Sequence, residues 1–77
     1  MTSVDEINLI DESAKTQLEK VNEIVKNFAA GDKKVLLTKD EMLVKVIPML
    51  AVKNKIKMKI KMSEDIWNIT LERSENA

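Results

Sequence analysis

The chain has 77 residues, with 13 basic and 13 acidic side chains, no cysteine and no histidine. A domain of this size buries only a modest fraction of its surface, and without cysteine neither disulfides nor thiolate-held zinc can add stability, so a homodimer is expected. The absence of histidine and cysteine removes the side chains that most often titrate near neutrality in active sites, so no enzyme, cofactor, metal site or small-molecule substrate is expected.

The N-terminal MTSVDEINLI carries acids where a secretory signal carries bases. No apolar run approaches the roughly 20 residues of a membrane span. These features predict a soluble cytoplasmic protein with no membrane partner, built as a single domain over residues 1–77 with frayed termini at 1–5 and 74–77. Glu6-Ile-Asn-Leu-Ile10 reads as a first strand, followed by Asp11 and Ser13, either of which suits a helix N-cap. From residue 13 to 30, Ala14, Leu18, Val21, Ile24, Val25 and Phe28 recur at the spacing that gathers side chains on one helical face. Gly31 follows, where a helix can end in a left-handed residue.

Lys33-Lys-Val-Leu-Leu-Thr38 is a compact apolar run that predicts a second strand. Thr38-Lys-Asp-Glu41 has the threonine and glutamate of a capping box, so a second helix is expected from Lys39, with Met42, Leu43, Val46 and Ile47 buried. Pro48 lacks a backbone donor and predicts an end or a kink there.

In Lys53-Asn-Lys-Ile-Lys-Met-Lys-Ile-Lys-Met62 the period of two is strict, with Ile56, Met58, Ile60 and Met62 on one face and Lys55, Lys57, Lys59 and Lys61 on the other. Trp67, Ile69 and Leu71 resume the alternation after Ser63-Glu-Asp65. A two-residue loop at Glu64-Asp65, with a loop of three to five residues as the alternative, pairs Met62 with Trp67, Ile60 with Ile69 and Met58 with Leu71, which puts these six apolar residues on one side. The resulting fold is α+β, a βαβαββ two-layer sandwich in which two helices cover one mixed sheet that ends in a β-hairpin.

This order of elements, from EINLI through KNFAAG, KKVLLT and TKDE to the hairpin KIKMKIKM and IWNITLERS, resembles the Alba family of small nucleic-acid-binding proteins. The resemblance implies a dimer that binds DNA or RNA through basic residues after the first strand, around the start of the second helix, and on the hairpin. The first of these places is IDESAK, with Lys15, where the family typically carries a Gly-Lys-Lys-Pro motif. The second is LLTKDE, with Lys39, where the family has an arginine- and glycine-rich turn. The third is the row of Lys55, Lys57, Lys59 and Lys61.

Charge placement along the chain is uneven: residues 33–61 carry nine lysines against Asp40 and Glu41, while residues 1–13 carry four acids and no base. A neutral chain can therefore present one basic face. With a single tryptophan and a single phenylalanine, both at core positions, base stacking is not expected, and with no arginine in that block any contact falls on phosphates. Alternating lysine also keeps an apolar strand from pairing edge to edge. Two functions follow: a non-enzymatic nucleic-acid-binding protein of little sequence specificity, or a protein-interaction module that uses its sheet edge or a helix face.

Overall fold

The structure, a computed structural model, describes residues 5–73. The elements follow in the order β1 (Asp5–Asn8), α1 (Ala14–Lys26), β2 (Lys33–Thr38), α2 (Glu41–Lys53), β3 (Lys57–Ser63) and β4 (Ile66–Glu72). Asp5 opens β1, so the expected fraying does not reach it, and the remaining terminal residues lie outside the described range.

One four-stranded sheet has the order β1-β2-β4-β3, with β1 and β2 parallel and both β4 pairs antiparallel. Both helices pack on one side of it. Val21 and Val25 of α1 and Leu43 and Ile47 of α2 meet Leu36, Ile69 and Leu71 of the sheet, all of them buried. Full burial of each such side chain contributes about 1.5–3 kcal/mol, so these residues are the main source of stability.

The hairpin register is the one read from the sequence: Met62 pairs with Trp67, Ile60 with Ile69, Met58 with Leu71, Lys61 with Asn68, Lys59 with Thr70 and Lys57 with Glu72. Glu64 and Asp65 have φ of 51° and 67°. A two-residue loop that follows the strand twist requires this left-handed pair, here without the usual glycine.

Several local expectations are corrected by side-chain hydrogen bonds. β1 stops at Asn8 because the Asn8 side chain accepts from the Ile10 amide at 2.9 Å and turns the chain. Ser13 caps α1, its Oγ accepting from the Thr16 amide at 3.2 Å. That helix ends well before Gly31, because Asn27 satisfies the Glu23 carbonyl with both its amide and its side chain. Gly31 instead has φ 86° in the turn before β2, and its amide donates to the Arg73 carbonyl at 2.7 Å.

The buried face of α1 is rotated from the expected one, with Gln17 buried and Ala14 and Leu18 exposed. Thr38 explains the rotation. Its hydroxyl donates to Gln17 Oε1 at 2.6 Å and accepts from the Asp40 amide at 3.0 Å, while Gln17 Nε2 donates to the Glu12 carbonyl at 2.8 Å. With Thr38 engaged in this way the capping box does not form. Asp40 caps α2 through the Met42 amide at 2.9 Å, and the helix begins at Glu41 rather than Lys39.

In α2 the buried residues are Leu43, Ile47 and Ala51, Val46 is half-buried, and Met42, expected inside, is 66% exposed. The helix runs through Pro48 to Lys53. It closes in a Schellman arrangement, in which the Ile56 amide donates to the Ala51 carbonyl at 2.8 Å and the Lys55 amide to the Val52 carbonyl at 3.2 Å.

Candidate functional site

Alternation along the strands sends one set of side chains to the helices and the other to the open side of the sheet. The helix-facing set includes Ile7, Leu36, Ile69 and Ile60, which stand in line through the pairs Ile7–Leu36, Leu36–Ile69 and Ile69–Ile60. The open side is therefore a grid of the remaining positions. At one end Lys57, Glu72 and Lys33 stand side by side; next come Lys59, Thr70, Val35 and Glu6; then Lys61, Asn68, Leu37 and Asn8.

Charge on this face is graded from edge to edge. The β3 edge carries Lys57, Lys59 and Lys61, all exposed, the two middle strands carry Glu72 and Lys33 as neighbours at one end and neutral residues elsewhere, and the β1 edge carries Glu6. At about 3.3 Å per residue the lysine row spans roughly 13 Å. Across β4, about 10 Å from the row at the usual strand spacing, Lys33 adds a fourth cation. An open depression of about 380 Å³ lies between them, lined by Lys33, Val35, Lys59, Lys61, Asn68 and Thr70. Among the described residues the ion pairs are Lys20–Glu12 at 2.9 Å and Lys34–Asp5 at 3.1 Å, so the four lysines of the open face belong to neither. Glu72, cross-strand neighbour of both Lys57 and Lys33, offsets part of the charge at that end. Toward the other end Lys59 and Lys61 stand opposite the neutral Thr70 and Asn68, with the acids Glu64 and Asp65 in the loop beyond Ser63.

Of the six lysines singled out in the sequence, three stand together here. Lys55 is separated from the row because it occupies the left-handed position of the Schellman turn, with φ 59°, so β3 begins after it. Lys39 lies between β2 and α2, beyond the end of its strand. Lys15 is on α1 in the helix layer, beside a groove of about 260 Å³ that it shares with Leu18, Asp40, Met42 and Val46. Lys33 was missed as a site residue. Its parity with Val35 and Leu37 places it on the open face, but its nearness to the lysine row depends on β4 lying beside β2, which no local pattern announces.

Neither aromatic side chain joins this face, since Phe28 is buried in the core and Trp67 is on the helix side. Arg73 is occupied, its Nη1 donating to the Phe28 carbonyl at 2.7 Å. The face thus offers ammonium groups along β3 and at Lys33, neutral hydrogen-bonding groups around a shallow apolar centre, and the carboxylates of Glu72 at one end and Glu6 at the far edge, so an extended anion would be held by point charges on the Lys59–Lys61 side. No described helix is long and apolar enough to cross a membrane.

Two helices on one side of a mixed β1-β2-β4-β3 sheet define the molecule as a two-layer α+β protein with the second face of the sheet open. Among solved structures, that fold is similar to the crystal structure of a SirA-like protein from Desulfitobacterium hafniense, with a TM-score of 0.74 over 95% of this chain and 100% of that one. The two sequences are 9% identical, so the likeness is one of fold. No protein-family model and no curated protein sequence matches the chain.

Proposed function

We propose that the protein is a small, non-enzymatic nucleic-acid-binding protein that holds the phosphate backbone of DNA or RNA on the open face of its sheet, as its Alba-like sequence pattern implies. One observation carries this reading: Lys57, Lys59 and Lys61 stand in a row on an uncovered face, outside the ion pairs of the described residues, with Lys33 across from them. Ammonium groups are point charges that neutralise phosphates without reading bases. With no arginine or aromatic ring on the face, binding is nearly indifferent to sequence and strongly sensitive to salt.

Four phosphate contacts give a log–log salt slope of about −3.6 on duplex DNA, which is roughly a hundredfold loss of affinity between 50 and 200 mM salt. Replacing Lys59 and Lys61 with glutamine makes the slope shallower by about 1.8 units, by the same amount on unrelated sequences. Fluorescence anisotropy over a salt series on duplex DNA and on RNA reads both quantities. An unchanged slope in the folded double variant, or no binding of either nucleic acid at low salt, refutes the proposal. In that case the lysine row serves to keep β3 from pairing with other chains.

A further inference from the structure

A nucleotide is graded along its own length, from a charged phosphate through a hydroxylated sugar to a flat base with apolar faces. The open face of the sheet carries the same gradation across its strands. The lysine row on the β3 edge supplies the charge. One strand spacing inward, at about 5 Å, β4 presents the Thr70 hydroxyl and the Asn68 amide. Among the described residues Thr70 takes part in no side-chain hydrogen bond, and Asn68 uses only its Nδ2, which donates to the Ile66 carbonyl at 3.2 Å. Both therefore have hydrogen-bonding capacity left for a ligand. At about 10 Å, β2 presents Val35 and Leu37, half-buried on the side that neither helix covers. The depression of about 380 Å³ runs from Lys59 and Lys61 past Asn68 and Thr70 to Val35, so it joins all three zones. That volume is within the range of about 300–1,000 Å³ common to pockets for small ligands, and it admits a base.

The far edge decides between one strand and two. β1 lies about 14 Å from the lysine row and carries Glu6, which is exposed and belongs to neither ion pair of the described residues. In a duplex the bases are stacked inside, and a second backbone follows across the groove, about 12 Å away in the major groove of B-DNA and about 6 Å in the minor groove. The wider spacing sets that backbone between Lys33 and the Glu6 carboxylate, and the narrower one sets it over β4, where only Glu72 is charged. Neither position has a second row of cations. A single strand brings no second backbone and has its bases free to lie on the apolar zone.

We infer that the open face takes single-stranded RNA, its phosphates on the lysine row, its 2′-hydroxyls at Thr70 and Asn68, and its bases over Val35 and Leu37. The inference rests on the phosphate-binding reading and names the ligand of that site. A 2′-hydroxyl both donates and accepts, so it suits a threonine hydroxyl and an amide side by side, and DNA has no group there to meet them. Three phosphate contacts on a single strand give a log–log salt slope of about −2.1, shallower than that of a duplex, so the preference for the strand widens as salt rises.

Fluorescence anisotropy of the full chain at about 200 mM salt compares a short unstructured RNA, the DNA strand of the same sequence, and the RNA and DNA duplexes. The RNA strand should bind tightest, with the DNA strand weaker by about three- to tenfold, the fold-change of one net hydrogen bond. Both duplexes should bind about tenfold more weakly than the RNA strand. Thr70→Val lowers RNA to the level of DNA and leaves DNA unchanged. Glu6→Lys tightens duplex binding about fivefold but single-strand binding less than twofold, because the row lies beyond a Debye length of about 8 Å. Unchanged urea midpoints show that both variants are folded. Equal binding of strand and duplex, or of RNA and DNA strands, overturns the inference and leaves the phosphate reading standing. So does a Thr70→Val variant that keeps the preference for RNA, or a Glu6→Lys variant that tightens strand and duplex alike. Failure of all four nucleic acids to bind at low salt removes the reading and the inference together.

Discussion

Replacing Thr38 with valine preserves the shape of a fully buried side chain and deletes its hydroxyl, so the change isolates one polar junction between α1, β2 and α2. The loss leaves Gln17 Oε1 without the 2.6 Å donor it has inside the core, and the Asp40 amide without its 3.0 Å acceptor just where α2 begins. An unsatisfied buried polar group costs about 1–3 kcal/mol. The Asp40 amide is only part-buried and can recruit water, so the sum is about 2–4 kcal/mol. A chain of this length has a total stability of about 4–12 kcal/mol, so the variant sits close to the folding threshold. Gln17→Leu removes the other partner, and in the double variant the two apolar side chains face each other, leaving a coupling energy of about 1–2 kcal/mol. Urea unfolding followed by tryptophan fluorescence, with Trp67 as reporter, measures all four corners of the cycle. A Thr38→Val cost below about 0.5 kcal/mol, or no coupling with Gln17, would show that the junction is solvated and that the rotated face of α1 has another cause.

Two further changes separate stability from binding. Lys55→Gly relieves the left-handed strain at the Schellman position and should stabilise the fold by about 1 kcal/mol in urea, while the DNA salt slope stays unchanged because Lys55 lies off the lysine row. Ile60→Lys puts a charge on the helix side of an edge strand, where Ile60 is half-buried. The long side chain can bend past the edge to water, so urea unfolding should show a loss of about 2 kcal/mol rather than the larger penalty of a central strand.

The sequence carried the register of the hairpin, because two adjacent strands alternate in step and any slip of one residue would bury lysines. It carried β2 to the residue for a related reason: an apolar run bounded by Gly31-Asp32 and by polar residues after Thr38 leaves little freedom for its ends. Details set by long-range partners were not legible. Gln17 reads as surface until Thr38 is placed 21 residues away to satisfy it, and Thr38 reads as a cap until Gln17 is placed. Pro48 reads as either an end or a kink, and the choice falls to tertiary packing: the burial of Ile47 and Ala51 on either side of it draws the helix through. Within the candidate site, the strict alternation from Ile56 to Met62 concealed that Lys55 belongs to the helix terminus. The hydrogen bonds of a Schellman turn leave no mark on hydrophobic periodicity.

The place of β4 in the sheet has a bearing on how the chain is made. Although β4 follows β3 in sequence and is the last strand of the described residues, it lies between β2 and β3 and supplies hydrogen bonds to both. Its partners on β2 are 29 to 39 residues distant along the chain, from Thr38–Trp67 to Lys33–Glu72. After Thr38 emerges from a ribosome, the chain through Glu72 follows only after about 2–7 s at ordinary elongation rates. For that interval β2 has β1 on one side and nothing on the other, and the core lacks Ile69 and Leu71. Folding of this sheet therefore waits until β4 has been synthesised. A hairpin that closes locally in microseconds must then insert as a unit, so exchange of β3–β4 between two neighbouring nascent chains is the misassembly to which this topology is most exposed.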